Sequence, residues 1–486
     1  MLDGKNIPLK IRENFKKNIY WKDKINGLSD LLYAFIYLCV DKLNSRGELI
    51  FITPIFWIQT LHASNLRKYL YEKGSLEVLI TFNEMRIFKE VSSSIIILKY
   101  VKEKSDKPIK IVHVWSKSNL TTEILEKVNK LLQGLDKKDY IKEDFFEAYL
   151  HPQFGNGKPW KPVPPKIDLI LSKIEESCKY SPIIEVNSDG GSLKVPLSIL
   201  LEKEDLEEFN IKSKACKRVR FGEKTYYLPK KTKVTPLFSF ITQSEIEKFE
   251  CEREKVPERF IRLGDIAEIG NGMVSGLDRA FKVINPDEFS EEERKKFICV
   301  IKAKQLHQYY FTHVTPYTFV NDIETEEELK RKYSNIYNHL SKYRKMLDKR
   351  YNYGRDIPWW HWVFPRNQKL MENNYEKILT PCKERIDKKG YVRFVYVNGR
   401  YYATQDVTVI VKKPYFREDT KYLLAILNSN VIFTWIKYKG LARGGVVEFS
   451  EKPLSRIPIR LINWDDPTEV DIHYKIVKLS IWTKVI

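Results

Sequence analysis

Three consecutive stretches of sequence decide the fold: DLLYAFIYLCVDKL (30–43), SRGELIFITPIFWI (45–58) and LEVLITFNEMRIFKEVSSSIIILKY (76–100). In the first, apolar residues including Phe35 recur every three or four positions, which predicts a helix with Ser29 as its N-cap. In the second, the unbroken apolar run Leu49–Ile52 is typical of a strand that is buried on both faces of a sheet.

The third stretch contains two further strands, predicted over Leu76–Phe82 and Ser94–Tyr100 and joined by a loop that holds Phe88. A helix predicted over Ser64–Lys73 precedes them and ends at Gly74, a common C-terminal stop. The order of helix, strand, helix, strand and strand is the second half of a doubly wound α/β domain, and no earlier residues supply the first half. The fold class is therefore predicted to be α/β, with a half sheet of the Rossmann-like type followed by a mixed α+β domain.

The charge balance favours a polyanionic partner. Lysine and arginine number 84 against 64 aspartates and glutamates, which gives a net charge of +20 at pH 7. Because a protein that neutralises phosphates releases counterions, a nucleic acid is the expected partner before a membrane surface. A heavily charged surface of the thermophile type would explain the 30% charged fraction but not the excess of one sign.

The cysteines and histidines form no recognisable framework. The 6 cysteines are scattered without a CxxC pair, and the 8 histidines make no HExxH motif. We therefore expect no metal site, and we predict an intracellular, cytoplasmic location. Neither a signal peptide nor an apolar run of about 20 residues, the length of a membrane span, is expected.

Four segments resemble the later part of the catalytic domain of TaqI-like adenine-specific DNA methyltransferases: DLLYAF, RGELIFITPIFWI, LRKYL and IFKEVSSSIIILKY. This family also contains methyltransferase–nuclease fusions. From Phe260 onward, FIRLGDIAEIGNGMVSGLDRAFKV and YLLAILNSNVIFTWIKYKGLARGGVVEFSEKPLSRIPIR are similar to the family's target-recognition domain. The resemblance implies adenine-N6 methylation of double-stranded DNA, with S-adenosylmethionine as the methyl donor.

The family's catalytic motif, (Asn/Asp/Ser)-Pro-Pro-(Tyr/Phe), is absent from the sequence, and the nearest candidate, Val163-Pro164-Pro165-Lys166, does not fit. In the family, the Asn side chain and the Pro carbonyl accept hydrogen bonds from the adenine amine and thereby support the transition state. The glycine-rich cofactor loop is missing too, since Phe154-Gly155-Asn156-Gly157 has no predicted strand before it and no helix after it. We therefore expect no catalytic residue in this chain, which is expected to begin just after the motif.

The resemblance assigns roles to two aromatic residues. Phe88 stands where the family has an aromatic ring that stacks on the adenine flipped out of the duplex. A core phenylalanine that anchors a hairpin is the alternative. Phe35 matches an aromatic residue near the cofactor, although its helical spacing favours simple core packing.

The missing first half has a physical consequence for the strand Leu49–Ile52. In the family's sheet this strand lies between the strand that ends in the catalytic motif and the final hairpin. Here it becomes an open apolar edge, which invites pairing with another chain. We predict that the polypeptide is unstable alone or completes its sheet with a separate N-terminal methyltransferase chain.

Three regions are predicted: residues 1–115 as the half Rossmann-like methyltransferase domain, 116–259 as a connector with a basic segment over Lys212–Lys233, and 260–486 as the target-recognition domain. Asn398-Gly399 predicts the turn of a hairpin in the last region. For DNA contacts we select Lys304, where the family carries a basic residue, and Arg443, in a flexible Ala-Arg-Gly-Gly turn that would reach a groove.

The sequence as a whole predicts the C-terminal portion of a site-specific adenine-N6 DNA methyltransferase of the restriction-modification type. One alternative is a DNA-binding specificity subunit, or a remnant, without catalysis; it predicts that the isolated chain binds no cofactor. The other is part of a methyltransferase–endonuclease fusion, which no cluster of acidic residues with a lysine supports. The recognition sequence depends on geometry that a sequence does not contain.

Overall fold

The structure is a computed structural model with two compact units. Unit 1 comprises residues 1–171, 385–390 and 435–447, and unit 2 comprises residues 172–384, 391–434 and 448–486. The residues that the structure describes are 13–14, 17–21, 24, 29–83, 85, 87–88, 94–115, 119–178, 183–188, 191–196, 216–221, 224–229, 260–373, 376–387, 389–413, 416–443 and 446–482.

The helices and strands up to residue 177 alternate along the chain. They are α1 (Leu31–Lys42), β1 (Glu48–Pro54), α2 (Ser64–Lys73), β2 (Ser75–Phe82), β3 (Ile95–Val101), β4 (Ile109–Val114), α3 (Thr122–Gly134), β5 (Tyr140–Glu143), β6 (Phe146–His151) and α4 (Pro165–Ser177). The predicted helix and strands between residues 64 and 100 agree with α2, β2 and β3 to within one residue.

Unit 1 is organised around a six-stranded sheet of order β1-β3-β2-β4-β6-β5. β3 runs antiparallel to both β1 and β2, whereas β2 and β4 are parallel. Leu79 of β2 packs in a cluster with α1 and α2, and the next residue, Ile80, packs in a cluster with α3 on the other face. A sheet covered by helices on both faces confirms the predicted α/β class.

Helix α1 departs from its prediction in two ways. Its N-cap is Asp30 rather than Ser29, because the Asp30 carboxylate accepts a hydrogen bond from the Leu32 N–H at 2.9 Å. Its buried face includes Tyr33 and Tyr37, whose large rings fill the space against the sheet. Phe35 is consequently turned outward and is 53% exposed, so its prediction as a core residue is wrong.

Strand β1 forms an edge of the sheet. Among the described residues it pairs only with β3, and Ile50 and Ile52 are 66% and 52% exposed. The prediction that Leu49–Ile52 is buried on both faces is therefore wrong. The predicted open apolar edge is present in the described part of the chain, because no further strand covers β1 there.

Arg67 of α2 forms hydrogen bonds with two loops, one between β1 and α2 and the other after β6. Its guanidinium is fully buried and donates to the carbonyl oxygens of Trp57 at 2.7 Å, Thr60 at 2.8 Å and Lys158 at 2.8 Å. A fourth bond, at 3.2 Å, reaches the carbonyl of Gly157. This carbonyl also accepts from the Ser64 hydroxyl, so the Gly155–Gly157 segment is packed against α2.

The rest of the chain consists of shorter elements. They are β7 (Ile183–Ser188), β8 (Gly191–Pro196), β9 (Cys216–Phe221), β10 (Lys224–Pro229), β11 (Phe260–Arg262), α5 (Leu263–Ile266), β12 (Ala267–Asn271), α6 (Asp278–Phe281), α7 (Glu291–Arg294), β13 (Phe297–Ile301), β14 (Thr315–Thr318), α8 (Glu326–Lys332), α9 (Ser334–Ser341), α10 (Arg344–Asp348), α11 (Gln368–Asn373), β15 (Glu376–Pro381), β16 (Lys383–Glu384), β17 (Val395–Asn398), β18 (Tyr402–Ala403), β19 (Val407–Lys412), α12 (Thr420–Leu427), α13 (Asn430–Lys439), β20 (Ala442–Arg443), β21 (Val446–Glu448), α14 (Glu451–Ser455), β22 (Pro458–Arg460) and α15 (Pro467–Trp482).

Unit 2 contains several small sheets rather than one large one. Their orders include β12-β19-β15-β17, β14-β13-β18 and β10-β9-β7-β8. The hairpin predicted at Asn398-Gly399 is wrong: β17 pairs with β15, and β18 pairs with β13 in a different sheet. The turn is present, with Gly399 at φ +138°, but the two strands that flank it each pair with a different strand.

A single apolar cluster holds the sheets β12-β19-β15-β17 and β14-β13-β18 together. Trp359, Trp360 and Trp362 are buried in it. The indole of Trp360 donates to the Ile323 carbonyl at 2.9 Å, and that of Trp362 donates to the Thr318 carbonyl at 3.0 Å, which satisfies their buried N–H groups.

The predicted division into residues 1–115, 116–259 and 260–486 stays a prediction. No helix in the part of the chain that the structure describes is long and apolar enough to cross a membrane.

Candidate nucleic-acid site

The carboxyl ends of β1, β2 and β4 lie at one edge of the unit 1 sheet, the side on which open α/β sheets bind their ligands. The loop after β2 has one buried and one exposed apolar residue. Met85 is buried and anchors the loop, whereas Phe88 is 47% exposed. Phe88 is therefore not a core residue, and its role toward the target adenine stays a prediction.

Phe35 lies on the exposed side of α1. Its ring stacks on Phe51 of β1, with the ring centroids 5.5 Å apart and an interplanar angle of 22°. The outer face of this pair is accessible, since about half of the Phe35 surface is exposed. An accessible aromatic face can pack against a flat ligand, and its role toward a cofactor stays a prediction.

A polar pocket of about 90 Å³ opens at the same edge of the sheet. Its lining includes Gln59 after β1, Thr81 and Asn83 at the end of β2, His113 of β4 and Lys437 of α13, all within unit 1. A pocket of this volume has room for several water molecules, and it is open, so that a larger ligand can extend out of it.

The floor of the pocket is a buried chain of hydrogen bonds. His113 shares one hydrogen bond with the Thr81 hydroxyl at 2.5 Å and another with the Tyr149 hydroxyl at 2.7 Å. Burial lowers the pKa of His113 from 6.5 to about 4, an effect that the nearby Glu147 carboxylate only partly opposes. The imidazole is therefore neutral at pH 7, and both of its ring nitrogens take part in hydrogen bonds.

A buried carboxylate positions the lysine of the pocket. Glu147 accepts hydrogen bonds from the hydroxyls of Tyr140 at 2.9 Å and Tyr438 at 2.7 Å, and the Lys437 ammonium lies 3.7 Å from it. Burial alone would raise the pKa of Glu147, but Lys437 and the hydroxyl donors outweigh burial and lower it. Lys437 also lies 4.2 Å from the ring centroid of Trp115, so its position is well defined.

Lys304 lies in unit 2, on the one-turn 3₁₀ helix Ala303–Gln305, and its side chain is exposed. The turn is firmly held. The Lys302 ammonium is 2.5 Å from Asp278 and 2.8 Å from Asp406, and Asp406 also accepts from the Ala303 N–H at 3.0 Å. A rigid turn that presents an exposed lysine suits a phosphate contact.

Arg443 belongs to unit 1, together with Phe35 and Phe88, whereas Lys304 does not. The backbone of Arg443 pairs with Val446 in the hairpin β20–β21, and its role as a DNA contact stays a prediction. Its side chain and Gly444-Gly445 lie outside the described residues.

The basic segment predicted over Lys212–Lys233 contains the hairpin β9–β10 in its described part. Arg218 and Arg220 are exposed there, and the Arg218 guanidinium lies 5.9 Å from the ring centroid of Tyr227. An exposed basic hairpin is compatible with a DNA backbone contact, which stays a prediction.

Sequence reasoning missed Gln59, Asn83, His113 and Lys437. A signal existed for the first two, because each follows a strand whose carboxyl end is predicted to lie at the ligand-binding edge of the sheet. Lys437 had no such signal. It comes from the last part of the chain, and only folding brings it to this edge.

The described residues fit only part of a site for S-adenosylmethionine. Phe35 offers an aromatic face, but no glycine-rich turn directly follows a strand in the described part of unit 1. The carbonyl of Gly157, in the glycine-containing segment Gly155–Gly157, already accepts hydrogen bonds from Ser64 and Arg67. These residues alone do not make a complete cofactor site.

Two family matches cover different parts of the chain. Residues 5–88 match the Eco57I restriction-modification methylase family, and residues 322–459 match the TaqI-like C-terminal specificity domain. The first match contains α1, β1, β2 and Phe88, and the second contains the strands β15 to β21. Together they define a restriction-modification methyltransferase with a specificity domain.

Similar proteins extend this result to the whole chain. Type II methyltransferase M.HindII of Haemophilus influenzae is 35% identical over 475 residues, which are 98% of this chain and 76% of that protein. M.HincII, also from Haemophilus influenzae, is 33% identical over 98% of this chain and 75% of its own length. The solved structure of the type IIL restriction-modification enzyme MmeI in complex with DNA covers 98% of this chain and 47% of its own, with 8% identity and a TM-score of 0.48.

The chain belongs to the type II DNA methyltransferases of restriction-modification systems. By family these enzymes are adenine-specific and use S-adenosylmethionine as the methyl donor. The predicted resemblance, fold class and enzyme class are thereby confirmed.

Proposed function

We propose that this chain holds the target adenine and the DNA in a site-specific adenine-N6 methyltransferase, with Phe88 as the residue that stacks on the flipped base. The observation that carries the proposal is the half-exposed ring of Phe88, which follows β2 at the carboxyl edge of the sheet in a chain of this family. A base taken out of the duplex loses its stacking neighbours, and an aromatic face replaces them.

The proposed reaction forms a bond between the adenine N6 atom and the methyl carbon, breaks the carbon–sulfur bond of the donor and releases one proton from N6. The described residues contribute the base and DNA contacts. The groups that activate the amine and hold most of the donor lie outside them. Lys304 and Arg443 are proposed as DNA contacts, and Phe35 as an aromatic contact of the donor. A cytoplasmic location accords with a DNA substrate.

The Phe88→Ala variant is expected to reduce methylation by about 10- to 100-fold, because loss of one aromatic–base stack costs about 1–3 kcal/mol. The wild-type gene, expressed with its chromosomal neighbours, is expected to produce N6-methyladenine at one short sequence of host DNA. Sequencing that detects modified bases measures the extent and also identifies the recognition sequence.

Phe88→Tyr is the matched control, and it should retain most of the methylation because it keeps the ring. Equal methylation by Phe88→Ala and wild type would show that the ring does not hold the base. No methylation by wild type, together with no binding of S-adenosylmethionine by calorimetry, would favour a specificity subunit without catalysis.

We also propose that a separate methyltransferase chain covers the open edge of the sheet. The apolar residues there are Phe35, Leu38, Ile50 and Ile52, all more than two-fifths exposed. Ile50 and Ile52 point to one face of β1, and Phe51 points with Phe35 to the other. An edge that is apolar on both faces suits a further strand with its own covering helices.

The chain expressed alone is therefore expected to self-associate, and Ile50→Lys with Ile52→Lys should make it monomeric, because charges on an edge strand oppose edge-to-edge pairing. Light scattering after gel filtration measures the mass. The control is Leu169→Lys with Ile170→Lys, which places the same charges on two exposed apolar residues of helix α4 and should leave the association unchanged. A wild-type chain that is a cooperatively melting monomer contradicts the proposal.

A further inference from the structure

The unit 1 pocket contains two amide side chains with unused hydrogen-bonding capacity. Gln59 and Asn83 line it, and neither amide group has a hydrogen-bond partner among the described residues. The backbone of Asn83 is nevertheless held firmly. Its N–H donates to the Val114 carbonyl at 3.1 Å, and its carbonyl accepts from the Ser94 hydroxyl. The two amides thus offer a mixed set of donors and acceptors to whatever enters the pocket.

The remaining lining combines apolar walls with charges of both signs. Ile55, Pro162 and Val447 provide apolar surface, and Lys161, Asp387 and Lys437 provide two ammonium groups and one carboxylate. A free phosphate would gain nothing from the apolar walls and would leave the donors and acceptors of the two amides only partly used. A purely apolar ligand would leave the two amides without partners.

A nucleobase satisfies all of these features. It is flat and apolar on its faces, it carries alternating donors and acceptors on its edges, and asparagine and glutamine are the side chains that read such edges in pairs of hydrogen bonds. The phosphate attached to it would lie near ammonium groups, as most phosphates do in protein–DNA contacts.

We propose that this pocket binds one extrahelical nucleobase of the DNA, with the amides of Gln59 and Asn83 hydrogen-bonded to its edge. The site is separate from the stacking position proposed for the target adenine, since Phe88 does not line the pocket. The inference rests on the proposed function, because it requires that the chain binds DNA. It adds a second base that leaves the duplex.

The test uses duplexes whose sequence need not be the recognition site. One carries a single bulged adenine or thymine, and its partner carries a bulged abasic residue, which keeps the phosphate and removes the base. Fluorescence anisotropy measures the affinity of the full chain for each. Wild type is expected to bind the bulged-base duplex about tenfold more tightly than the abasic one, in line with a discrimination of about 1–3 kcal/mol for paired hydrogen bonds to one base.

Gln59→Ala and Asn83→Ala, singly and together, are expected to reduce this preference to less than about twofold, while the affinity for the abasic duplex stays unchanged. Both side chains are partly exposed, so the variants should fold, and circular dichroism checks this. The matched control is Asn129→Ala, which removes an exposed amide from helix α3 and should keep the full preference.

The outcomes separate this inference from the proposed function. If Phe88→Ala abolishes the preference and the amide variants keep it, the base stacks on Phe88 alone and the inference is wrong. Equal binding of both duplexes by wild type also overturns it, while DNA binding stands. A wild-type chain that binds none of the duplexes overturns DNA binding and the inference together.

Discussion

Replacing Arg67 by alanine is expected to lower the free energy of unfolding by about 3–5 kcal/mol, the largest effect that we expect from any single substitution in unit 1. The fully buried guanidinium makes four hydrogen bonds to carbonyl oxygens, at 2.7–3.2 Å. Alanine would remove one donor from each of these buried carbonyls, although the Ser64 hydroxyl would still donate to the Gly157 carbonyl, and it would also leave a cavity. Each unsatisfied buried group costs about 1–3 kcal/mol, although partial relaxation makes the sum smaller.

This change is measured by urea-induced unfolding, which is followed by tryptophan fluorescence. Trp57 and Trp160 contribute to that signal, and their ring centroids are 5.2 Å apart. Lys68→Ala is the control on the same helix. Its side chain is mostly exposed and forms an exposed ion pair with Glu72, so we expect a loss below about 0.5 kcal/mol. A loss below about 1 kcal/mol for Arg67→Ala would mean that water replaces the guanidinium at the four carbonyls.

The second large effect is a loss of stability in acid that arises from His113. Burial lowers the pKa of this imidazole from 6.5 to about 4 in the folded chain. Between these two pH values, the unfolded chain binds a proton that the folded chain does not bind. Lowering the pH from about 6.5 to about 4 therefore favours unfolding, and the loss from this group is about 3 kcal/mol.

His113→Asn isolates this contribution, because asparagine keeps a hydrogen-bonding side chain but does not titrate. The variant is expected to be less stable at pH 7 and to show a flatter dependence of the unfolding free energy on pH between 4 and 6.5. His62→Asn, at an exposed histidine, is the control and should keep the slope of the wild type. The lowered pKa of Glu147 adds a loss in the same direction as its carboxyl becomes protonated. If the unfolding free energy of wild type and of His113→Asn changed equally with pH, the loss of stability in acid could not be assigned to His113.

Most elements of the half sheet could be predicted from local sequence. Helix α2 begins and ends at the predicted residues, because its apolar spacing and Gly74 are signals that act within a few residues. The same holds for β2 and β3, whose apolar runs are bounded by polar loops. Local signals were insufficient where two candidates competed, as at the N-cap of α1, where Asp30 makes the bond that Ser29 was expected to make.

Strand partners could not be predicted from turn signals alone. Asn398-Gly399 is a turn, as its composition indicates, yet β17 and β18 enter different sheets. The gain from the antiparallel pairing of β17 with β15 inside an apolar core outweighs that of a hairpin between β17 and β18. In the same way, α1 buries Tyr33 and Tyr37 and exposes Phe35, because the shape of the facing sheet, rather than hydrophobicity alone, decides which rings fit.

The sequence by itself determined the family, the α/β class and the position of Phe88 after β2, since each depends on residues that are close together in the chain. Only the tertiary structure decided which groups meet in the pocket. Gln59, Asn83 and Lys437 come from distant segments, and Lys437 is held there by Glu147. Contacts between distant segments depend on the packing of the whole unit, and no local pattern of residue types encodes them.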